Sequence, residues 1–180
     1  MKKAACALLL ALCSGLTGSA LAQDAATSTQ VTDEKLAATF RETSAAAERG
    51  EASAQNSLGE MYKRGRGVAR DDAQAVTWFR KAADQGLAGG QYNLGVMYAG
   101  GRGVARDDAQ AVSWFRKAAD QGDVDAQTNL GTMYLTGRGV AQDDAEAATW
   151  YRKAADQGDA AALMALRQMA PSEGVPKEPR

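Results

Sequence analysis

The residues best suited to chemistry in this chain are acidic pairs that recur at a fixed interval. Two adjacent aspartates occur three times, 36 residues apart. Paired carboxylates can act as general acid and general base. An aspartate at a helix start can instead accept hydrogen bonds from the unpaired backbone N–H groups there. Recurrence at one spacing favours helix capping over three acid/base sites at Asp71-Asp72, Asp107-Asp108 and Asp143-Asp144.

A glycine-rich segment repeats in step with the aspartates and could suggest a phosphate-binding loop. Gly-Arg-Gly occurs at residues 65–67, 101–103 and 137–139. A phosphate-binding P-loop requires G-x-x-x-x-G-K-[ST] after a strand, and neither is present. We therefore predict turns at these glycines. Their arginines are expected to form a row along one edge, solvated or facing an acidic rim of a partner: Arg66, Arg102 and Arg138.

Residue types that support catalysis are scarce. The chain has no histidine, which removes the commonest general base and metal ligand. It also lacks S-x-x-K, the serine-nucleophile signature of penicillin-recognising enzymes. The net charge of −1 gives no argument for nucleic acid or an anionic membrane as partner. We predict a protein that is not an enzyme and that holds no cofactor or metal.

The N-terminus has the pattern of a secretory signal. Lys2 and Lys3 precede an apolar segment, residues 4–12, that is too short to span a bilayer. Ala20-Leu21-Ala22 fits the small-x-small cleavage rule, so we predict a signal peptide at 1–22, cleaved after Ala22, and a periplasmic or secreted protein without a transmembrane segment. Both cysteines, Cys6 and Cys13, lie in the removed part. An alternative makes Cys13 a lipoprotein anchor, although Leu12 stands where such a signal requires a small residue.

These elements belong to a 36-residue repeat. Tryptophans, tyrosines and glycines recur at this spacing, which defines units at 51–86, 87–122 and 123–158. Each unit reads as two helices. Helix A of the first unit is predicted over about residues 53–64, with apolar side chains at i, i+4, i+7 and i+8. Helix B then runs from Asp71 or Asp72 to about Gln85. The recurring residues are Trp78, Trp114 and Trp150; Tyr62, Tyr98 and Tyr134; and Gly50, Gly86, Gly122 and Gly158.

Helix A contains a glycine at the same position in every unit, namely Gly59, Gly95 and Gly131. A glycine inside a helix costs about 1 kcal/mol relative to alanine, so a shared packing reason is expected. We predict close approach of helices A and B, opposite the small Ala82 and Ala83. Each tryptophan is expected to be buried as a wedge between helices.

The full motif resembles a known repeat. A-Q-x-x-L-G-x-M-Y-x-x-G-x-G-V-x-x-D, followed by W-F-R-K-A-A-D-Q-G, is similar to the Sel1-like repeat (SLR), a relative of the tetratricopeptide (TPR) repeat. It occurs three times over residues 51–158, with Gly90 for alanine and Tyr151 for phenylalanine as small departures. The resemblance implies an all-α fold, an αα-hairpin solenoid with right-handed twist, used mainly for protein–protein contact.

The same resemblance implies two other functions. Some secreted, cysteine-rich Sel1-like proteins have been described as β-lactam-binding or β-lactamase-like, but they carry a cysteine pair in each repeat, which this chain lacks. Related periplasmic solenoids are thought to scaffold envelope or exopolysaccharide machinery, or to restrain a sensor protein. Nothing in the residues separates the scaffolding roles.

Shorter segments complete the domain organisation at both ends of the repeats. Residues 32–50 are predicted as an N-terminal capping helix, a degenerate helix B with Leu36 and Phe40 on its apolar face. Residues 159–170 are predicted as a C-terminal capping helix, a lone helix A. Terminal helices of this kind cover a core that a solenoid otherwise exposes. Residues 23–31 are predicted as a flexible linker and 171–180 as a disordered tail. The apolar residues of the C-terminal cap are Leu163, Leu166 and Met169.

A candidate binding groove follows from the resemblance, because helix A lines the concave face of TPR-like solenoids. The inward positions differ between units while most other residues repeat. Either they contact a partner or they are exposed positions free to vary. We predict a protein or peptide partner in this groove and a non-enzymatic scaffold of the bacterial cell envelope. The groove positions are Asn56, Glu60 and Lys63; Tyr92, Val96 and Ala99; and Thr128, Thr132 and Leu135.

Overall fold

The computed structural model describes residues 34–169, and this part of the chain is helical with short connections. Consecutive helices pack as hairpins within units and then against the next unit, which confirms the predicted αα-hairpin solenoid. The predicted signal peptide (1–22), linker (23–31) and tail (171–180) lie outside the described residues. The helices are α1 (34–48), α2 (Ala52–Arg64), α3 (Asp72–Asp84), α4 (Ala88–Gly100), α5 (Asp108–Asp120), α6 (Val124–Thr136), α7 (Asp144–Asp156) and α8 (Ala160–Met169).

The first aspartate of each pair caps the helix that follows. The Asp71 carboxylate accepts hydrogen bonds from the backbone N–H groups of Ala73 and Gln74, at 2.9 and 3.0 Å. The turn before it begins at Gly65, whose φ of 67° lies in the left-handed region that favours glycine. The predicted capping and turn roles are therefore confirmed. Asp143 caps α7 with the same two bonds, and Asp107 caps α5 with one, from the Gln110 N–H.

The core of each unit is a phenylalanine or tyrosine ring lying on the helix A glycine. Phe79 is 0% exposed, and a Cβ added to Gly59 would lie 2.6 Å from its ring. Close approach of helices A and B is confirmed, but the aromatic ring causes it and not the alanines. Ala82 instead faces the next unit, where a Cβ on Gly90 would be 2.8 Å from it.

The tryptophans are less buried than their size led us to expect. Trp150 is 5% exposed, whereas Trp78 and Trp114 are only half-buried. The ammonium groups of Lys81 and Lys117 lie over the two half-buried rings, 3.7 and 3.9 Å from the ring centroids. Lys153 lies over the buried Trp150 ring at 3.8 Å, so the cation–π contact recurs in every unit and does not account for the difference in burial. The expectation that every tryptophan is a buried wedge is wrong for two of the three.

A row of buried glutamines joins each unit to its neighbour. Gln91 donates to the Ala83 carbonyl of the preceding helix B at 3.3 Å and accepts a bond from Gln121 at 2.7 Å. Gln55 and Gln127 make the same pair of contacts. A buried amide must find partners, so the row sets the position of each helix A between two helices B.

Candidate protein-binding groove

The predicted groove positions lie on three neighbouring helices, α2, α4 and α6. α2 contacts α4 directly, and the side chains of Asn56 and Asn93 form a hydrogen bond of 3.0 Å between them. Eight of the nine positions are half-buried and Thr132 is exposed. The structure therefore places the predicted residues on helix A of each unit, with α2 and α4 in direct contact.

Several groove side chains also pack against the core, so these positions are not simply exposed surface. Tyr92, Val96, Ala99 and Leu135 contact the cluster of buried residues formed by α5, α6 and α7. The Tyr92 ring lies 6.0 Å from that of Phe115, centroid to centroid. These residues present one side to the core and the other to the groove.

The end of the groove in the first unit is a polar network. The Lys63 ammonium donates to the Glu60 carboxylate and, at 3.2 Å, to Asn93 on α4. The side chains of Lys63 and Glu60 are 17% and 23% exposed. Glu60 also pairs with Arg64 at 2.8 Å. One carboxylate is shared by two cations, so this end keeps one net positive charge. The bond from Lys63 to Asn93 ties α2 to α4.

The middle of the groove combines an aromatic ring with nearby carboxylates. Burial raises the pKa of the Tyr92 hydroxyl, and the charges of Asp125 and Asp123 raise it further. Burial also raises the pKa of Asp123, whose carboxylate caps α6 by accepting from the Ala126 N–H at 2.8 Å. An apolar surface with negative charge beside it suits a partner with apolar and basic side chains.

The third-unit end is lined with hydroxyl groups. The Thr128 hydroxyl donates to the Asp159 carboxylate, and this bond lowers the pKa of Asp159. The hydroxyls of Thr132 and Tyr151 lie 2.9 Å apart. The third-unit end of the groove is therefore polar. None of its predicted groove positions carries a cationic side chain.

Two of the three arginines in the row, Arg102 and Arg138, are paired with aspartates and not simply solvated. Arg102 donates to the Asp72 carboxylate of the preceding unit from Nε and Nη2, at 3.2 and 2.9 Å. Arg70 holds the same carboxylate from the other side, and the two arginines lower the pKa of Asp72 to about 2. Arg138 and Arg106 donate to the Asp108 carboxylate in the same way. The second aspartate of the pair thus links units, a role that the 36-residue spacing of the arginines could have indicated.

The C-terminal helix exposes Leu163, which belongs to its predicted apolar face, and also Met164. Leu163 is 44% exposed and Met164 is 62% exposed, the two exposed large hydrophobic residues of the described chain. By the 36-residue spacing, Met164 follows Asn56, Tyr92 and Thr128 on the groove side. Sequence reasoning did not include Met164, although the same spacing would have located it.

Within residues 34–169 no helix is long and apolar enough to cross a bilayer. The same part of the chain contains no cluster of three or more histidine, cysteine, aspartate or glutamate side chains that could hold a metal ion.

Comparison with known proteins identifies the repeat. Residues 52–87, 88–123 and 124–159 each match the Sel1 repeat family, one residue later than the units drawn from the spacing. A protective antigen of uropathogenic Escherichia coli strains with an SLR fold is 45% identical over 70% of this chain, with a TM-score of 0.68. The chain spans about a quarter of that antigen, 27% of its length.

Two further solved structures are similar. A Sel1 repeat protein from Oxalobacter formigenes is 41% identical, covering 72% of this chain and 98% of that protein, with a TM-score of 0.66. The cysteine-rich protein B of Helicobacter pylori is 23% identical, covering 71% and 96%, with a TM-score of 0.57, and shows a likeness of fold alone. A search of curated proteins found no match.

Proposed function

Because the chain belongs to the Sel1 repeat family, whose helical repeats commonly serve as protein-interaction scaffolds, we propose that it is an adaptor that binds a peptide or protein segment in the groove of α2, α4 and α6. One observation carries this proposal. The nine groove positions differ from unit to unit, whereas the residues around them largely repeat. A variable surface on a repeating scaffold is suited to a partner that does not itself repeat.

The chemistry of the groove indicates the kind of segment that fits. Tyr92, Val96 and Leu135 form its half-buried apolar middle, and aromatic and aliphatic side chains are typical of interface centres. Asp123 and Asp125 lie close enough to Tyr92 to affect its pKa. The preferred segment carries an apolar side chain for the middle and a basic residue beside it.

The site of action that we propose is the cell envelope or the medium. The basis is the N-terminal pattern of Lys2 and Lys3, an apolar segment and Ala20-Leu21-Ala22. Amino-terminal sequencing of the exported protein should begin at Gln23. A chain that retains Met1 would contradict the proposal.

We also propose that the protein has no catalytic activity. The chain has no histidine and no S-x-x-K, and its acidic pairs are used for capping and for links between units. Hydrolysis of a chromogenic β-lactam above the buffer rate would overturn this part of the proposal and favour the β-lactamase-like alternative.

The experiment that tests the groove uses residues from another unit of the same chain. In the variant Tyr92→Thr/Val96→Thr, the second unit takes the residues Thr128 and Thr132 of the third. Residues 23–180 of this variant and of the native chain are immobilised and exposed to envelope extract, and captured proteins are then titrated in purified form. We expect the variant to weaken binding at least about tenfold, a loss of about 1.4 kcal/mol.

A matched control changes exposed positions outside the groove. Gln74 and Thr77 on α3 are exposed, and Gln74→Glu/Thr77→Ser introduces residue types found at the same positions of other units. The control should bind like the native chain. Equal binding by the native chain and the groove variant would reject the groove, and attention would turn to a structural role in envelope machinery.

A further inference from the structure

α8 is a helix A that has no helix B packed on it within the described chain. By the 36-residue spacing, Leu166 takes the place of Leu130 and Leu163 takes the place of Gln127. Leu130 is 0% and Gln127 4% exposed. α7 packs on α6, and the Gln127 side chain bonds to Ala119 of α5 and to Gln157 at the end of α7. Leu166 is only half-buried and Leu163 is 44% exposed. The surface that helix B covers in every complete unit is therefore uncovered here.

The residues that follow α8 do not encode the turn that returns a helix B. In the third unit this turn uses Gly137 and Gly139, with φ of 65° and 70°. A Cβ on Gly139 would lie 2.2 Å from the Asp108 carbonyl oxygen. The equivalent residues after α8 are Glu173 and Val175, which disfavour positive φ, and a valine has no room in such a turn. The two turn glycines of the complete units are therefore not repeated at their positions after α8.

The positive charge of α8 indicates which side chain a covering helix should carry at one position. The position occupied by Gly59, Gly95 and Gly131 in complete units is Arg167 in α8. Arg167 is exposed, and among residues 34–169 it has no ionic partner. An aromatic ring cannot lie on this position as Tyr151 lies on Gly131, but a carboxylate can pair with the guanidinium.

We propose that the open face of α8, formed by Leu163, Leu166, Arg167 and Met169, binds an amphipathic helix of another protein. The bound helix packs as a helix B does and carries an aspartate or glutamate where the repeats carry Phe79, Phe115 and Tyr151. Its remaining contacts are small or aliphatic side chains that cover the leucines. This surface is separate from the groove residues, so the two proposals can fail independently.

A second copy of this chain is a poorer fit for the face. The one lone helix B that the described chain offers is α1, and Thr43 stands at its aromatic position. The neighbouring acid, Glu42, stands at the tryptophan position, rotated by about 100° around the helix. Contact of α8 with α1 of another molecule therefore does not place a carboxylate on Arg167.

The test uses helix B itself as the probe. Two fluorescent peptides span residues 143–157 and are stapled on the solvent side to hold the helix. One keeps Tyr151, and the other carries Tyr151→Glu. Fluorescence anisotropy with residues 23–180 should show at least about fivefold tighter binding of the glutamate peptide. In the Arg167→Glu protein the tyrosine peptide should bind more tightly than the glutamate peptide. The same protein should bind a Tyr151→Lys peptide, because the ion pair is then rebuilt with opposite signs.

Leu163→Gln provides a variant that retains the fold, since glutamine is the residue of complete units at this position and can bond to the preceding helix B. Leu163→Gln should weaken binding of the glutamate peptide about fivefold, whereas Tyr92→Thr/Val96→Thr should leave binding of this peptide unchanged. Equal binding of the tyrosine and glutamate peptides, or no reversal by Arg167→Glu, overturns the proposal. A dimer in sedimentation that Leu163→Gln abolishes would assign the face to a second copy and also overturn it.

Discussion

The two ends of the helical stack differ in how they finish the core. At the N-terminal end, α1 has Thr39 and Thr43 at the positions of buried Ala75 and Phe79. At the C-terminal end, α8 keeps apolar side chains, such as Leu166, at the position of a buried leucine. A terminal helix closes a solenoid when its outer face is polar. α1 therefore caps the stack, whereas α8 leaves a surface that still resembles the interior of a unit.

The arginine–aspartate links between units are present in the interior and absent near the described C-terminal end. Asp108 in the interior is held by Arg106 and Arg138. Near the C-terminal end, Asp144 is exposed and contacts Gln142 at 3.5 Å, with no arginine partner among the residues that the structure describes. The comparison shows that equivalent residues in nearly identical units have different energetic roles, set by whether a further unit follows.

The largest expected contrast is between two leucines at the same position of helix A. Leu130→Ala removes a side chain that is 0% exposed and should lower the free energy of unfolding by about 2–5 kcal/mol. Leu166→Ala removes a half-buried side chain of α8 and should cost about 1 kcal/mol. Urea unfolding of residues 23–180, followed by circular dichroism, measures both. Equal losses would mean that α8 is covered in solution.

A second contrast concerns the glycine position. A Cβ on Gly131 would lie 2.9 Å from the Tyr151 ring, so Gly131→Ala should destabilise the protein by about 1–3 kcal/mol despite the better helix propensity of alanine. Arg167→Ala occupies the same position without an overlying ring and should change stability by less than about 0.5 kcal/mol. Thermal unfolding of the two variants checks the difference. A similar loss of stability for Arg167→Ala would mean that the Arg167 side chain makes a stabilising contact.

The smallest contrast is electrostatic and depends on pH. Hydrogen bonds from Arg106 and Arg138 lower the pKa of Asp108 from 3.8 to about 2. A lowered pKa stabilises the fold above the unfolded value, and this contribution is lost as the pH falls from about 4 towards 2. Asp108→Asn should therefore cost about 0.5–1 kcal/mol at pH 7 and almost nothing near pH 2, while Asp144→Asn should have little effect at either pH. Urea midpoints at the two pH values provide the measurement. A loss of stability for Asp144→Asn equal to that for Asp108→Asn would contradict the role of Asp108 as a link between units.

Much of the fold was predictable from the residues, whereas the binding groove stays a prediction. The 36-residue spacing, the capping aspartates and the turn glycines act over a few positions of the chain, so they define helix starts, helix ends and the hairpin without knowledge of distant contacts. The nine groove positions on helix A were selected by the resemblance to TPR-like solenoids, with the repeat giving their register. These features give the chain its family and its architecture.

Contacts between helices decided the remainder. Trp78 and Phe79 are adjacent and both large, and only the packing of helix B on Gly59 determines that the phenylalanine fills the core while the tryptophan stays half-buried beneath Lys81. Likewise Asp72 looks like a second capping residue until Arg102 of the next unit is brought to it. The sequence by itself determined the repeat and its helices, because those depend on local spacing. The tertiary structure alone decided which side chains are shared between units and which are left open on α8, because that depends on what lies across the interface.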